Sequence, residues 1–221
     1  MKIKAPQLII FDCDGTLVDS EKITTKIIAG MINDLGIPIS ETECHDEFVG
    51  TKFQNIVDFL NSRGVRVDKT DMETRYRRIC DVVFEKELEP IPGVVKLLED
   101  LTTPYCIASN GPKEKMKVTL KHTGLSRFFS ESHIFSAYDI NKWKPEPDLF
   151  LLASNKLNVP PSSALVVEDT IHGIQAARSA GMQVIGVNIR TRKNDINDMG
   201  VPSFVNMEAV HDYFSNTLGL I

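Results

Sequence analysis

The clearest early pattern in the chain is a near-continuous apolar run, Leu8-Ile9-Ile10-Phe11, that stops on Asp12-Cys13-Asp14-Gly15-Thr16. A short branched run without polar alternation predicts a strand buried on both faces, as in a parallel sheet. From Asp19 to about Leu88 the pattern turns helical and no strand is predicted. Ile23, Ile27, Met31 and Leu35 share one helical face, and Gly36 and Pro38 stop that helix. Ser40 with Glu43, Thr51 with Gln54 and Thr70 with Glu73 fit capping boxes, with Gly50 and Gly64 ending the segments between. Ile56, Phe59 and Leu60 make the next helix amphipathic, and Met72, Tyr76, Ile79 and Val83 the one after. Glu89-Pro90-Ile91-Pro92-Gly93 reads as a return linker.

Beyond Gly93 helices and strands alternate. Val94 to Leu101 predicts a helix, and Tyr105-Cys106-Ile107-Ala108 a strand that ends on Ser109-Asn110-Gly111. Pro112 suits the first position of a helix running to about His122. Ile134-Phe135-Ser136-Ala137 reads as a strand, Pro147 to Leu157 as a helix, and Ala164-Leu165-Val166-Val167 as a buried strand ending at Glu168-Asp169. Thr170 opens a helix that ends at Gly181; Val184 to Val187 and Phe204-Val205 are further strands, and a helix starts at Met207. This alternation predicts an α/β fold with a doubly wound parallel sheet, a Rossmann-like core covered on both faces. The core is formed by residues 1–18 and 89–221, and residues 19–88 form an inserted helical bundle.

Composition narrows the function class. With 42% hydrophobic and 25% charged residues among 221, the chain reads as an ordinary soluble globular protein. A net charge of −5 argues against a general nucleic-acid surface. No apolar run approaches the ~18 residues of a membrane span, and the stretch after Lys2 and Lys4 is too short for a signal peptide. Cys13, Cys44, Cys80 and Cys106 lack CxxC spacing and read as reduced, buried thiols. We therefore expect a cytoplasmic protein, a monomer or weak homo-oligomer, with no membrane or nucleic-acid partner. The five histidines (His45, His122, His133, His172, His211) show no metal-ligand spacing.

Candidate chemistry gathers at strand ends. Asp12 and Asp14, two residues apart, share a face if the strand continues through them. Two carboxylates ~4 Å apart at an effective dielectric of ~20 repel by about 4 kcal/mol, so the pair asks for a cation or a chemical task. Ser109 and Asn110, then Glu168 and Asp169, end two other strands, and Lys144 follows the Ile134 strand in Trp143-Lys144-Pro145-Glu146-Pro147. In a parallel sheet all of these meet at the carboxyl edge, where α/β proteins bind ligands. Each has a plainer reading alone: Asp-Gly as a turn, Ser109 as a helix N-cap, Lys144 as a solvated loop residue, Glu168-Asp169 as favourable charge at a helix start.

Together, Asp12-Cys13-Asp14-Gly15-Thr16, Ser109, Lys144 in its Lys-Pro-x-Pro context, and Glu168-Asp169 resemble the four ordered motifs of the haloacid dehalogenase-like phosphatases. The helical insertion sits where that family carries its first type of cap. The resemblance implies Asp12 as nucleophile, forming an aspartyl phosphate that water then cleaves. Asp14 is implied as general acid and base. Mg²⁺ is the implied cofactor, held by the carboxylates of Asp12 and Asp169, the main-chain carbonyl of Asp14, and Glu168 directly or through water. Ser109, Asn110 and Lys144 are the implied phosphate-side contacts, and Lys52, in the loop Gly50-Thr51-Lys52, is the expected anion-binding residue of the cap. Cys13 is expected to face away from the aspartates, and Trp143 to pack over the lysine loop. Lys113, Glu114 and Lys115 read as an exposed first helical turn, and Arg190-Thr191-Arg192-Lys193 as a solvated loop.

Ser109-Asn110-Gly111-Pro112, Lys115-Met116, Tyr138-Asp139-Ile140 and Trp143-Lys144-Pro145 resemble a bacterial 6-phosphogluconate phosphatase type within that family. The implied partner is a small phosphorylated metabolite, a sugar phosphate or sugar-acid phosphate. Two alternatives stay open. One is a β-phosphoglucomutase-like phosphosugar mutase, whose serine-lysine pair is Ser109-Asn110 here. The other is a non-catalytic protein that binds a phosphorylated ligand.

Overall fold

A computed structural model describes residues 3–49, 51–187, 196 and 199–221. The chain divides into two compact units, Met1–Val18 with Glu89–Ile221, and Asp19–Leu88.

The first unit is a six-stranded sheet in the order β3-β2-β1-β4-β5-β6. Its strands are β1 (Leu8–Phe11), β2 (Tyr105–Ser109), β3 (Ile134–Ser136), β4 (Ala164–Glu168), β5 (Gln183–Val187) and β6 (Ser203–Phe204). Every neighbouring pair is parallel. Among the described residues, five α-helices accompany them: α5 (Val94–Asp100), α6 (Lys113–His122), α7 (Asp148–Lys156), α8 (Ile171–Ser179) and α9 (Met207–Tyr213).

Period-two alternation explains how both faces are covered. Ile9, Phe11, Ile107, Leu165 and Val167 point to one face and pack with Leu97, Met116, Leu120 and Val210 of α5, α6 and α9. Leu8, Ile10, Cys106, Ala108 and Val166 point to the other and pack with Leu149, Phe150, Ala153 and Ile174 of α7 and α8. Residues buried on both sides leave no polar face, which is why β1 reads as an unbroken apolar run.

The strand order positions the site. From β1 the chain moves to β2 and β3 on one side, then returns past β1 to β4 on the other. The order therefore reverses between β1 and β4, and at such a switch point the carboxyl ends of the strands open a crevice. Phe11 pairs with Ile107 and with Val167, so β2 and β4 run beyond β1 by two residues and one, to Ser109 and Glu168.

The described residues of the second unit form four α-helices and no strand: α1 (Ser20–Asp34), α2 (Glu41–Phe48), α3 (Phe53–Ser62) and α4 (Lys69–Glu87). Of the three predicted capping boxes, the one at Ser40 forms: its side chain accepts from the Glu43 N–H while Glu43 reaches back to the Ser40 N–H. The other two are corrected. Lys52 is the N-cap of α3, and the Thr51 hydroxyl donates to the Phe48 carbonyl instead. The fourth helix starts before Thr70, because the Asp68 side chain accepts from the Asp71 N–H at 2.9 Å. A carboxylate facing the positive end of a helix competes well for that position, and the sequence offered both candidates two residues apart. Pro112 and Pro147 likewise precede their helices as N-caps rather than opening them.

None of the described helices is long and apolar enough to cross a membrane. The four cysteines are all buried and form no disulfide.

The position of the α4 cap is testable in urea denaturation. Asp68→Ala should lower stability by about 1 kcal/mol, whereas Thr70→Ala, an exposed change away from the cap, should stay within about 0.5 kcal/mol. The opposite ranking would place the helix start at Thr70.

Candidate active site

The β1 strand ends at Phe11, but the Asp12 N–H still donates to the Val167 carbonyl at 3.0 Å, which ties it to β4. The chain then turns. The Gly15 N–H donates to the Val18 carbonyl, and the Leu17 and Val18 N–H groups both donate to the Cys13 carbonyl. Gly15 has φ +82°, and a Cβ there would lie 2.2 Å from Asp169 Oδ2. Two independent constraints, left-handed backbone and a carboxylate pressed against Cα, thus explain this glycine.

The turn corrects one expectation. Since the strand stops before Asp12, Asp12 and Asp14 are not held as strand neighbours on one face. Each carboxylate instead has its own lysine. Asp12 Oδ1 accepts from Lys144 Nζ. Asp14 Oδ2 accepts from Lys115 Nζ at 2.8 Å. Asp14 is the smallest of the influences on the Asp12 carboxyl.

Lys144 is the centre of the cluster, its side chain 2% exposed. Its Nζ donates to Asp12 and to Glu168 Oε1, the latter at 2.7 Å, and lies 4.9 Å from the Phe150 ring centroid. Its backbone N–H donates to Asn110 Oδ1 at 2.9 Å, and the Lys144–Pro145 peptide bond is cis. Asn110, expected as a substrate contact, thereby fastens the lysine loop to the end of β2. Trp143 packs edge-on against Tyr138, with ring centroids 5.6 Å apart.

Glu168 is held on both oxygens. Oε1 takes Lys144; Oε2 accepts the Thr170 N–H at 2.7 Å and the Thr170 hydroxyl at 2.8 Å. The Thr170 hydroxyl in turn accepts from the Gly173 N–H and caps α8. Asp169 Oδ1 accepts from the Thr16 hydroxyl at 3.0 Å. Ser109, 2% exposed, accepts the Gly111 N–H at 3.1 Å, which leaves its hydroxyl proton able to donate.

Burial governs the electrostatics. It pushes the Asp12 carboxyl up to about 7; Lys144 opposes this, and Glu168 reinforces it. Burial alone would lower the Lys144 ammonium, but Asp12 and Glu168 more than reverse that and hold it above the ordinary lysine range. The cluster is therefore read as an ammonium among carboxylates. Burial, then Asp14 and Asp12, raise the Cys13 thiol well above its usual range, so it stays protonated and packs in the apolar layer of Ile9 and Phe11.

Asp12, Glu168 and Asp169 present carboxylate oxygens within 4.8 Å of one another. With Asp12 ionised, an all-oxygen donor set with one ammonium among three carboxylates carries two excess negative charges, which fits a hard divalent cation such as Mg²⁺.

The structure thus brings together Asp12, Lys144, Glu168 and Asp169, with Ser109 and Asn110 on the neighbouring strand end and Asp14 on the turn. Lys52 belongs to the helical unit and is exposed at the start of α3. His172 is exposed on α8. Gly50 and the run Arg190-Thr191-Arg192-Lys193 lie outside the described residues. Sequence reasoning missed Lys115, Thr16, Thr170 and Gly173. Thr170 sits two residues after Glu168 in a capping position, which was a usable signal; for Lys115 the signal was its place in the Lys115-Met116 resemblance, which assigned it no role.

Gly173 gives a sharp test. A Cβ there would lie 1.9 Å from Glu168 Cδ. Helix propensity alone favours Gly→Ala by about 1 kcal/mol, whereas overpacking costs about 1–3 kcal/mol. Gly173→Ala should therefore destabilise the protein in urea denaturation. A gain in stability would mean that Glu168 is not seated against α8.

Comparison with known proteins agrees with this geometry. A model of haloacid dehalogenase-like hydrolases matches residues 9–187. A 6-phosphogluconate phosphatase from Escherichia coli (strain K12) is 37% identical over 179 residues, 80% of each chain. The crystal structure of a conserved haloacid dehalogenase-like protein of unknown function from Agrobacterium tumefaciens superposes with a TM-score of 0.78 at 33% identity, covering 95% of this chain and 96% of that one. A HAD family hydrolase from Deinococcus radiodurans R1, solved with bound phosphate and sodium, superposes with a TM-score of 0.80 at 25% identity over 99% of each chain. The chain belongs to the haloacid dehalogenase-like hydrolase family and is a phosphoric monoester hydrolase.

Proposed function

We propose that the protein is a Mg²⁺-dependent phosphatase that hydrolyses a small sugar phosphate or sugar-acid phosphate through an aspartyl phosphate on Asp12. The observation that carries this reading is the buried cluster in which Lys144 holds Asp12 and Glu168 beside Asp169 at the carboxyl edge of β1 and β4. The 37% identical relative named for 6-phosphogluconate supports the substrate class.

In the first half-reaction an Asp12 oxygen bonds to phosphorus as the ester P–O bond breaks, and Asp14 gives its proton to the departing oxygen, releasing an alcohol. In the second, water attacks the same phosphorus, Asp14 takes its proton, and the Asp12–phosphorus bond breaks to release inorganic phosphate. One hard displacement becomes two easier ones. Lys144 keeps Asp12 oriented and compensates charge on the transferring group, and the Ser109 hydroxyl donates to a phosphoryl oxygen. Bound Mg²⁺, held by Asp12, Asp169, the Asp14 carbonyl and Glu168 directly or through water, would supply Lewis-acid charge stabilisation. The helical unit is assigned to reading the leaving group, with Lys52 as its anion-binding side chain.

Phosphate release over a panel of sugar phosphates, sugar-acid phosphates, nucleotides and phosphoglycolate identifies the substrate. Asp12→Asn should lower turnover at least about 10³-fold with the unfolding transition retained; near-normal turnover would remove the covalent role. Asp14→Asn should cost about 10²- to 10⁴-fold. Chelation should stop release and added Mg²⁺ restore it, whereas full activity in chelator would refute the metal.

Burial of Asp12 adds a pH signature. Its folded-state pKa of about 7 exceeds that of a carboxylate in an unfolded chain. The folded protein therefore holds an extra proton across that window, and this group's contribution to stability falls as pH rises through it. In chelator, the stability of wild type minus that of Asp12→Asn should fall from pH about 5 to pH about 7.5, and Mg²⁺ should reduce that dependence. A difference independent of pH in chelator contradicts the burial argument.

A further inference from the structure

Lys115 is read from sequence as part of an exposed helical turn, yet its Nζ donates to Asp14 Oδ2 at 2.8 Å, with side chains 28% and 21% exposed. Three bonds fix the segment that delivers it. The Ser136 hydroxyl donates to the Gly111 carbonyl at 2.7 Å, the Gly111 N–H donates to Ser109 Oγ, and Asn110 Oδ1 accepts the Lys144 N–H. The helix that follows is seated by Met116, Thr119 and Leu120, all buried, so its first turn cannot swing freely. Lys113, two residues earlier, pairs with Asp139 at 2.8 Å.

Gly111 faces the same volume. A Cβ built there would lie 3.5 Å from Asp14 Oδ2, 3.6 Å from Ser109 Oγ and 3.9 Å from Lys115 Cδ. Ser109 is the phosphate-side donor and Asp14 the proton donor of the proposed reaction. The space bounded by these three side chains is therefore where the bridging ester oxygen and the first atoms of the leaving group belong.

We propose that Lys115 is a positioning residue for Asp14: it fixes one carboxyl oxygen so that the other faces the ester oxygen. The assignment rests on the phosphatase reading above. Asp14 stands on a turn outside the β1 ladder, and a lysine from another helix holds one of its carboxyl oxygens. Proton donation needs a heavy-atom separation of ~2.6–3.2 Å, so loss of the rotamer is loss of the acid.

Leaving-group dependence separates this role from a structural one. An alkyl ester requires protonation of its leaving oxygen, whereas p-nitrophenolate departs without it. The measured quantity is kcat/KM, which reports the half-reaction that breaks the ester bond, for p-nitrophenyl phosphate and for the sugar phosphate turned over fastest in the panel. Lys115→Met should lower the value about 30-fold for the sugar phosphate and less than about threefold for the aryl ester, a contrast smaller than the full range of general-acid effects. Lys115→Arg, which keeps a cation within reach of Asp14, should recover most of the loss on the alkyl ester. Asp14→Asn should show the same contrast, larger. Equal losses on both esters with Lys115→Met, or none, while Asp14→Asn keeps its contrast, would overturn the role of Lys115 alone. Absence of contrast in Asp14→Asn would overturn the acid assignment and this proposal with it.

Discussion

The site is organised around a buried ammonium. Lys144 sits with its side chain 2% exposed, bonded to Asp12 and Glu168. An unpaired ammonium in such a place would give up its proton or draw in water. An unpaired cluster of Asp12, Glu168 and Asp169 would be worse, since removing one partner of a buried pair costs about 3–5 kcal/mol. Each group is tolerable because of the others, and the charge left over is negative. That surplus is what a divalent cation and a phosphate ester, with opposite charges, would jointly complete. The cluster is stable enough to fold and incomplete enough to bind.

The sheet makes such an arrangement possible. Parallel strands place all their carboxyl ends on one edge, and the reversal of strand order between β1 and β4 opens that edge where Asp12 and Glu168 stand. Lys144 arrives from the long return between β3 and β4, and Asn110 at the end of β2 pins it by its backbone. Close contacts then demand particular small residues. Gly15 lets Asp169 approach the turn, and Gly173 lets Glu168 lie against α8. The same logic gives each acidic group a dedicated donor: Thr16 for Asp169, Thr170 for Glu168, Lys115 for Asp14.

Much of this was legible in the amino-acid pattern because parallel strands are buried on both faces and so print as short apolar runs. The residues that follow such runs must lie on the carboxyl edge, which is how Asp12, Ser109 and Glu168-Asp169 could be gathered before any coordinates. Lys144 was legible through its Lys-Pro-x-Pro surroundings. What escaped depends on geometry that one-dimensional spacing does not carry. The chain turns after Phe11, so Asp14 stands outside the β1 ladder, and no periodicity announces where a strand hands over to a turn. Lys115 looks like any charged residue in a first helical turn until the three bonds around Gly111 orient that helix. The start of α4 was misplaced because Asp68 and Thr70 offer equally acceptable caps, and tertiary context selects one.

The most direct measurement is chemical quenching of a single turnover on the millisecond scale, followed by mass analysis of the peptide that carries Asp12. The account predicts one phosphoryl group on Asp12, appearing before inorganic phosphate and decaying at the rate at which phosphate is released. Inorganic phosphate formed at full rate with Asp12 unmodified throughout would contradict it.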